Sequence, residues 1–213
     1  MSVYISKMKF SSLFLLACGS VVNQPEALTK LRLVTKKCDS PPLLCAILTC
    51  FHRFKFSNTF AFGADHLLAS PVAIWMIAYA TQVILSGQEP HEAVPSLLYS
   101  SDIGKHTSVV FLLNKHREEN VDRLEVSRYS WQHKIYRPNT FAYPLACPVC
   151  KRIGSWTTPG GAFQPKDGSA FDLPCKTKEG GVRCRGRFRI PQAPTGTLVT
   201  SPFEGGSWIC SGM

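Results

Sequence analysis

Leu13-Phe14-Leu15-Leu16-Ala17-Cys18-Gly19 is a continuous apolar run closed by a glycine. A strand covered on both faces reads this way, because neither side of it meets water. After a short turn, Asn23 is placed to cap a helix carrying Pro25 and Glu26 in its first turn. Ala27, Leu28, Leu31 and Val34 recur on one face of that helix, and Lys36 and Lys37 stand where a helix C-terminus favours cations. Thr59 to Gly63 reads as a second strand. Ser70-Pro71 opens a helix through Ala73, Ile74, Ile77, Ala78, Thr81 and Ile84 that stops at Gly87. Ala93 to Tyr99 is a short helix, and Thr107 to Leu113 a third strand. The alternating order predicts an α/β fold, a partial parallel sheet with covering helices.

The chain has 213 residues, 45% of them apolar, which is enough to bury a core. Its net charge of +10 and isoelectric point near 9.3 favour anionic partners. Two stretches invite a membrane reading. Lys7, Lys9 and the apolar run from Phe10 to Ala17 resemble a secretion signal, but a core of about eight residues is short for one. Leu67 to Leu85 is apolar yet broken by Ser70, Pro71, Thr81 and Gln82, so a buried helix is expected and not a membrane span.

Three segments stand apart. Residues 38–53 hold Cys38, Cys45 and Cys50, open on Pro41-Pro42 and have no periodic partner. They read as an irregular insert, or as a translated intron whose removal would join Lys37 to Phe54. Residues 114–140 are polar and mixed in charge, as in a linker or an exposed helix. Residues 192–213 are rich in Pro, Gly, Thr and Ser and are expected to be disordered.

Cys18 closes the first strand, where parallel α/β sheets place reactive groups. A helix N-terminus facing it would lower its thiol pKa. Residues 11–113 resemble the second half of a caspase-like peptidase domain of the CHAT type. The likeness rests on Leu15-Leu16-Ala17-Cys18-Gly19, on the second strand leading to Leu68-Ala69-Ser70-Pro71, and on the long helix ending at Gly87. The resemblance implies that Cys18 is the attacking thiol. The family's base is a histidine well upstream of the cysteine, and this chain has none before His52. A truncated domain 1–113 without peptidase activity is therefore expected.

Nine cysteines is an odd number, and four of them have metal-ligand spacing. Cys147-Pro-Val-Cys150 is a turn that points two thiolates at one place. Cys175 and Cys184 are separated by an eight-residue stretch that turns at Gly180-Gly181, which predicts a hairpin. Residues 141–191 thus resemble a small β-rich zinc-ribbon module. The resemblance implies Zn²⁺ held by Cys147, Cys150, Cys184 and either Cys175 or no fourth ligand, since Arg187 stands where a ribbon's last cysteine would fall. Metal thiolates point to a reducing, intracellular setting, cytoplasmic or nuclear. Arg183, Arg185, Arg187 and Arg189 alternate along one strand face, where they could meet phosphates while Phe188 and Trp156 stack a base. The six histidines are scattered without ligand spacing, and no phosphate-binding loop or dinucleotide fingerprint appears, so no small-molecule cofactor is expected. The leading reading is a catalytically incomplete caspase-like domain joined to a zinc-binding module. The alternative is a zinc-dependent module that binds nucleic acid or another protein.

Overall fold

The computed structural model describes residues 11–16, 23, 26, 56–64, 67–115, 123–133, 135–144, 146–154, 156–157 and 169–212. The chain divides into two compact units, residues 1–129 with 210–213, and residues 130–209.

In the first unit, β1 (Ser12–Leu15) pairs in parallel with β2 (Asn58–Phe62), with Phe14 opposite Phe60. Every residue of β2 is buried, including the polar Asn58 and Thr59 that precede Phe60, Ala61 and Phe62, as befits a strand paired on both sides. The expected parallel sheet is found only in the β1–β2 pair: β3 (Val109–Lys115) runs antiparallel to β2, and β4 (Arg123–His133) antiparallel to β3. A second correction concerns residues 114–140, expected as linker or exposed helix. Arg123–His133 form an 11-residue strand, because Val126 lies opposite Leu112 and joins Ala61 and Val110 in a buried cluster.

Three helices follow β2. α1 (Ala69–Tyr79) continues through a π-helical turn (Ala80–Leu85) to Gly87, whose φ of +69° ends it as expected. α2 spans Pro90–Ser100 and α3 Ile103–His106. Residues 90–100 have Pro90 at the first turn, where a missing N–H costs nothing. α1 buries Val72, Trp75 and Tyr79, leaving Ile74 and Ile77 exposed. Trp75 and Tyr79 meet Phe60 edge-on, at ring distances of 4.7 and 5.2 Å, and Phe60 stacks on Phe111 at 4.8 Å. Tyr79 Oη reaches Asn58 Oδ1 at 3.3 Å and also bonds Ser12 Oγ, so the buried phenol is satisfied. Among the described residues, no helix is long and apolar enough to cross a membrane.

The remaining strands are β5 (Phe171–Pro174), β6 (Lys178–Glu179), β7 (Val182–Arg183), β8 (Arg187–Ile190), β9 (Thr197–Thr200) and β10 (Gly206–Gly212). The main sheet is mixed, with strand order β1-β2-β3-β4-β10-β9. The expected disorder of residues 192–213 is thus also corrected. Thr197-Leu-Val-Thr200 and Ser207-Trp-Ile-Cys210 are short β-forming runs that the surrounding Pro and Gly content conceals. In the second unit Trp131 and Trp208 are buried, and the Trp131 indole N–H donates to Ser201 Oγ at 3.1 Å.

Candidate metal centre

The first half of the site is the turn Cys147-Pro148-Val149-Cys150. Pro148 fixes φ at the turn's second residue. The Lys151 N–H closes the turn on the Cys147 carbonyl at 2.9 Å, and the Cys147 N–H returns to the Arg152 carbonyl at 3.1 Å. Lys151 and Gly154 take positive φ (+59° and +62°), so the chain doubles back and Ala146 bridges Ile153.

The second half is one long hairpin. β5 and β8 pair with Phe171 opposite Ile190 and Pro174 opposite Arg187. β6 and β7 pair with Lys178 opposite Arg183. Between these ladders the Cys175 N–H donates to the Gly186 carbonyl at 2.8 Å and the Cys184 N–H to the Thr177 carbonyl at 2.9 Å. Both bonds keep the same register, which sets Lys176 across from Arg185. The tip is Gly180-Gly181, with φ of +56° and +82°, the two positive values a type I′ turn demands. Asn139, buried and at φ +50°, clasps the open end: its side-chain amide donates to the Ser169 and Pro191 carbonyls at 3.1 and 2.9 Å.

Strand alternation gives the hairpin two unlike faces. Phe171, Leu173, Cys175, Gly186 and Ile190 are buried, with Cys184 and Phe188 half-buried beside them. Asp172, Pro174, Lys176, Lys178, Arg183, Arg185, Arg187 and Arg189 are all exposed. The inner face closes over Cys147 and Trp156 to form a small core.

On that inner face four thiols converge. The sulfurs of Cys147, Cys150, Cys175 and Cys184 all lie within 4.8 Å of one another. Cys147 and Cys184 are 3.9 Å apart, and Cys150 and Cys175 3.7 Å. Four sulfurs at about 2.3 Å from one ion would stand about 3.8 Å apart. The cluster could hold a metal ion. Cys175, left open as the fourth ligand, is among the four. Cys147 and Cys175 are fully buried, while Cys150 and Cys184 are half-buried.

Backbone donors prepare the sulfurs for negative charge. The Arg152 N–H is the main cause holding the Cys150 thiol below its ordinary pKa. The Gly186 N–H, 3.3 Å from Cys184 Sγ, pulls in the same direction there, but burial and hydrogen bonds with the other three thiols outweigh it and raise Cys184 to about 11. Four thiols in this space resist ionising together until a cation joins them. Gly186 was not apparent as a site residue from the sequence. A Cβ on it would lie 2.4 Å from Cys147 Sγ, so only glycine leaves room for the cluster.

The arginine row is where the strand alternation places it, but the aromatic partners expected beside it are not on that face. Trp156 is buried and its indole N–H donates to the Pro144 carbonyl at 2.8 Å. Phe188 packs against the Trp156 ring at 5.8 Å on the inner face. Both rings therefore lie in the inner-face core and not beside the arginine row. Arg189 is paired with Asp172 at 3.2 Å. Cys18 and the 38–53 segment with Cys38, Cys45 and Cys50 lie outside the described residues. Comparisons with protein families, with curated proteins and with solved structures find no match to this chain.

Proposed function

We propose that residues 141–191 form a zinc-dependent binding module in which Cys147, Cys150, Cys175 and Cys184 hold one structural Zn²⁺. The observation that carries this reading is the sulfur spacing of 3.7 and 3.9 Å, close to the edge of a zinc–thiolate tetrahedron. Four protein thiolates fill the coordination sphere of zinc, so such a site organises the fold and leaves no open position for a reacting water. The hairpin and the turn meet chiefly through that cluster and a handful of side chains, too small a core to sustain a module of this size unaided. None of the five described cysteines is in a disulfide, and thiolate ligands suit a reducing, intracellular compartment. The peptidase reading rests on sequence likeness, and its nucleophile, Cys18, lies outside the described residues.

The test is elemental analysis of the purified full chain. About one zinc per chain is expected, falling to near zero in the Cys147→Ser and Cys175→Ser variants. Zinc content unchanged by Cys175→Ser would remove that ligand, and a wild-type chain purified without metal and refusing added zinc would overturn the reading.

A further inference from the structure

The outer face of the hairpin sets like charges against each other. Lys178 lies directly across from Arg183, and Lys176 across from Arg185, with Arg187 next along the same face. Like charges directly opposite in an antiparallel pair are destabilising. All five side chains are exposed. The acids nearest in the ladder are already engaged: Asp172 pairs with Arg189, and Glu179 with Arg152 at 3.7 Å. Cations therefore recur about every 7 Å along the strand direction, two abreast. Residues 141–191 carry nine Lys and Arg against three Asp and Glu. Four thiolates on one dication would leave the module still strongly positive.

A second observation lies at one end of this row. Lys176 lines a pocket of about 340 Å³ together with Tyr143, Pro144, Ile153, Trp156 and Thr157. That volume is in the range of pockets that take small organic groups. The Tyr143 hydroxyl is buried and makes no hydrogen bond. The pocket thus offers mainly apolar walls, Tyr143, Ile153 and Trp156 among them, and a cation at its rim, while the Tyr143 hydroxyl itself is buried behind that surface.

We propose that this module binds single-stranded nucleic acid, with phosphates along the Lys176, Lys178, Arg183, Arg185 and Arg187 face and one unstacked base entering the Tyr143 pocket. The row neutralises a repeating anion, and the pocket takes a planar ring against its apolar walls. A paired base in a duplex is not free to enter the pocket, and polyglutamate has the charge but no ring to fill it. The proposal rests on the zinc reading, because the metal-held hairpin is what presents the row beside the pocket.

The test uses the full chain, with zinc content measured on the same sample. A fluorescein-labelled, mixed-sequence single-stranded RNA and its duplex are titrated by fluorescence anisotropy over a range of salt concentrations. The single strand should bind more tightly, with affinity falling on salt at a log–log slope of about −2 to −4. K176Q/R185Q, removing two cations at about 0.7 each, should reduce that slope by about 1.4 while zinc content stays full. Ile153→Ser, which removes an exposed apolar wall of the pocket, should weaken the single strand about fivefold, leaving the salt slope unchanged. Duplex binding as tight as single-strand binding would overturn the proposal. So would displacement of the RNA by polyglutamate at an equal charge concentration. Full zinc with no strand binding would sink this proposal alone. Strand binding that persists unchanged in a chain that takes no zinc would sink the zinc reading and leave the basic face standing.

Discussion

Gly186 faces Cys147 so closely that a Cβ added to it would lie 2.4 Å from the Cys147 sulfur and 3.4 Å from that of Cys184. The Gly186 N–H and carbonyl serve the same cluster, donating to Cys184 Sγ and accepting from the Cys175 N–H. One residue thus sets the spacing of three ligands through its backbone and its lack of a side chain.

Gly186→Ala should therefore displace Cys147 or open the hairpin at the Cys175 bond. Zinc affinity measured by competition with a chromophoric chelator should drop by at least about tenfold, the loss seen when a group orienting metal ligands is removed. An alanine variant with wild-type affinity would mean that the four sulfurs are not held as described. Arg185→Ala, one position away and on the outer face, should leave metal affinity unchanged and serves as the control.

Asn139→Ala should loosen the hairpin from its other end. The side-chain amide joins the chain just before β5 to the chain just after β8, and Asn139 is itself buried. Losing both bonds, to the half-buried Ser169 and the exposed Pro191, should cost about 1–2 kcal/mol. Urea unfolding of the zinc-loaded chain, followed through tryptophan fluorescence, measures it. A change below about 0.5 kcal/mol would show the clasp to be incidental.

Chelation should act on the two units unequally. A structural zinc contributes about 10–16 kcal/mol to a module of this kind. The first unit has instead the buried aromatic group around Phe60, Trp75, Tyr79 and Phe111. Hydrogen exchange after zinc removal should show amides of β5, β7 and β8 losing protection while those of β2 and α1 keep theirs. Equal loss across both units would mean that the metal stabilises the whole chain.

Local pattern made much of this legible in the sequence, and direction made the rest illegible. The Gly180-Gly181 turn and the alternation of Leu173, Cys175, Phe188 and Ile190 follow from steric rules within a few residues. So do α1 from Ser70-Pro71 and α2 around Ala93. The Val109–Leu113 run reads the same whether it lies parallel or antiparallel to β2, since either direction buries it, so strand order alone favoured the wrong choice. β4 was hidden by its charges: Arg123, Glu125 and Arg128 suggest solvent until Leu112 is seen opposite Val126. β9 and β10 were lost in the average of a Gly- and Pro-rich segment. Gly186 left no chemical signature, because what it supplies is space. The visible signal was positional, a glycine at an inward-facing step of a strand otherwise lined with arginines.

Tyr143 gives the module a pH dependence on the alkaline side. Burial pushes its phenol from the usual value near 10 up to about 12. Between these values the unfolded chain releases the Tyr143 proton while the folded module retains it. The unfolded state then binds fewer protons, so stability falls as pH rises, starting near pH 10 and complete only above about 12. Tyr79 is raised for the same reason, burial, and adds a slope of the same sign in the first unit. The Tyr143 share is isolated by comparing zinc-loaded wild type with Tyr143→Phe. The variant should be no less stable at pH 7, since it removes a buried hydroxyl that has no partner. Between pH 10 and 11.5 its urea midpoint should decline less steeply than that of the wild type. Identical declines would show that Tyr143 ionises freely in the folded chain, and so that its hydroxyl already has access to water.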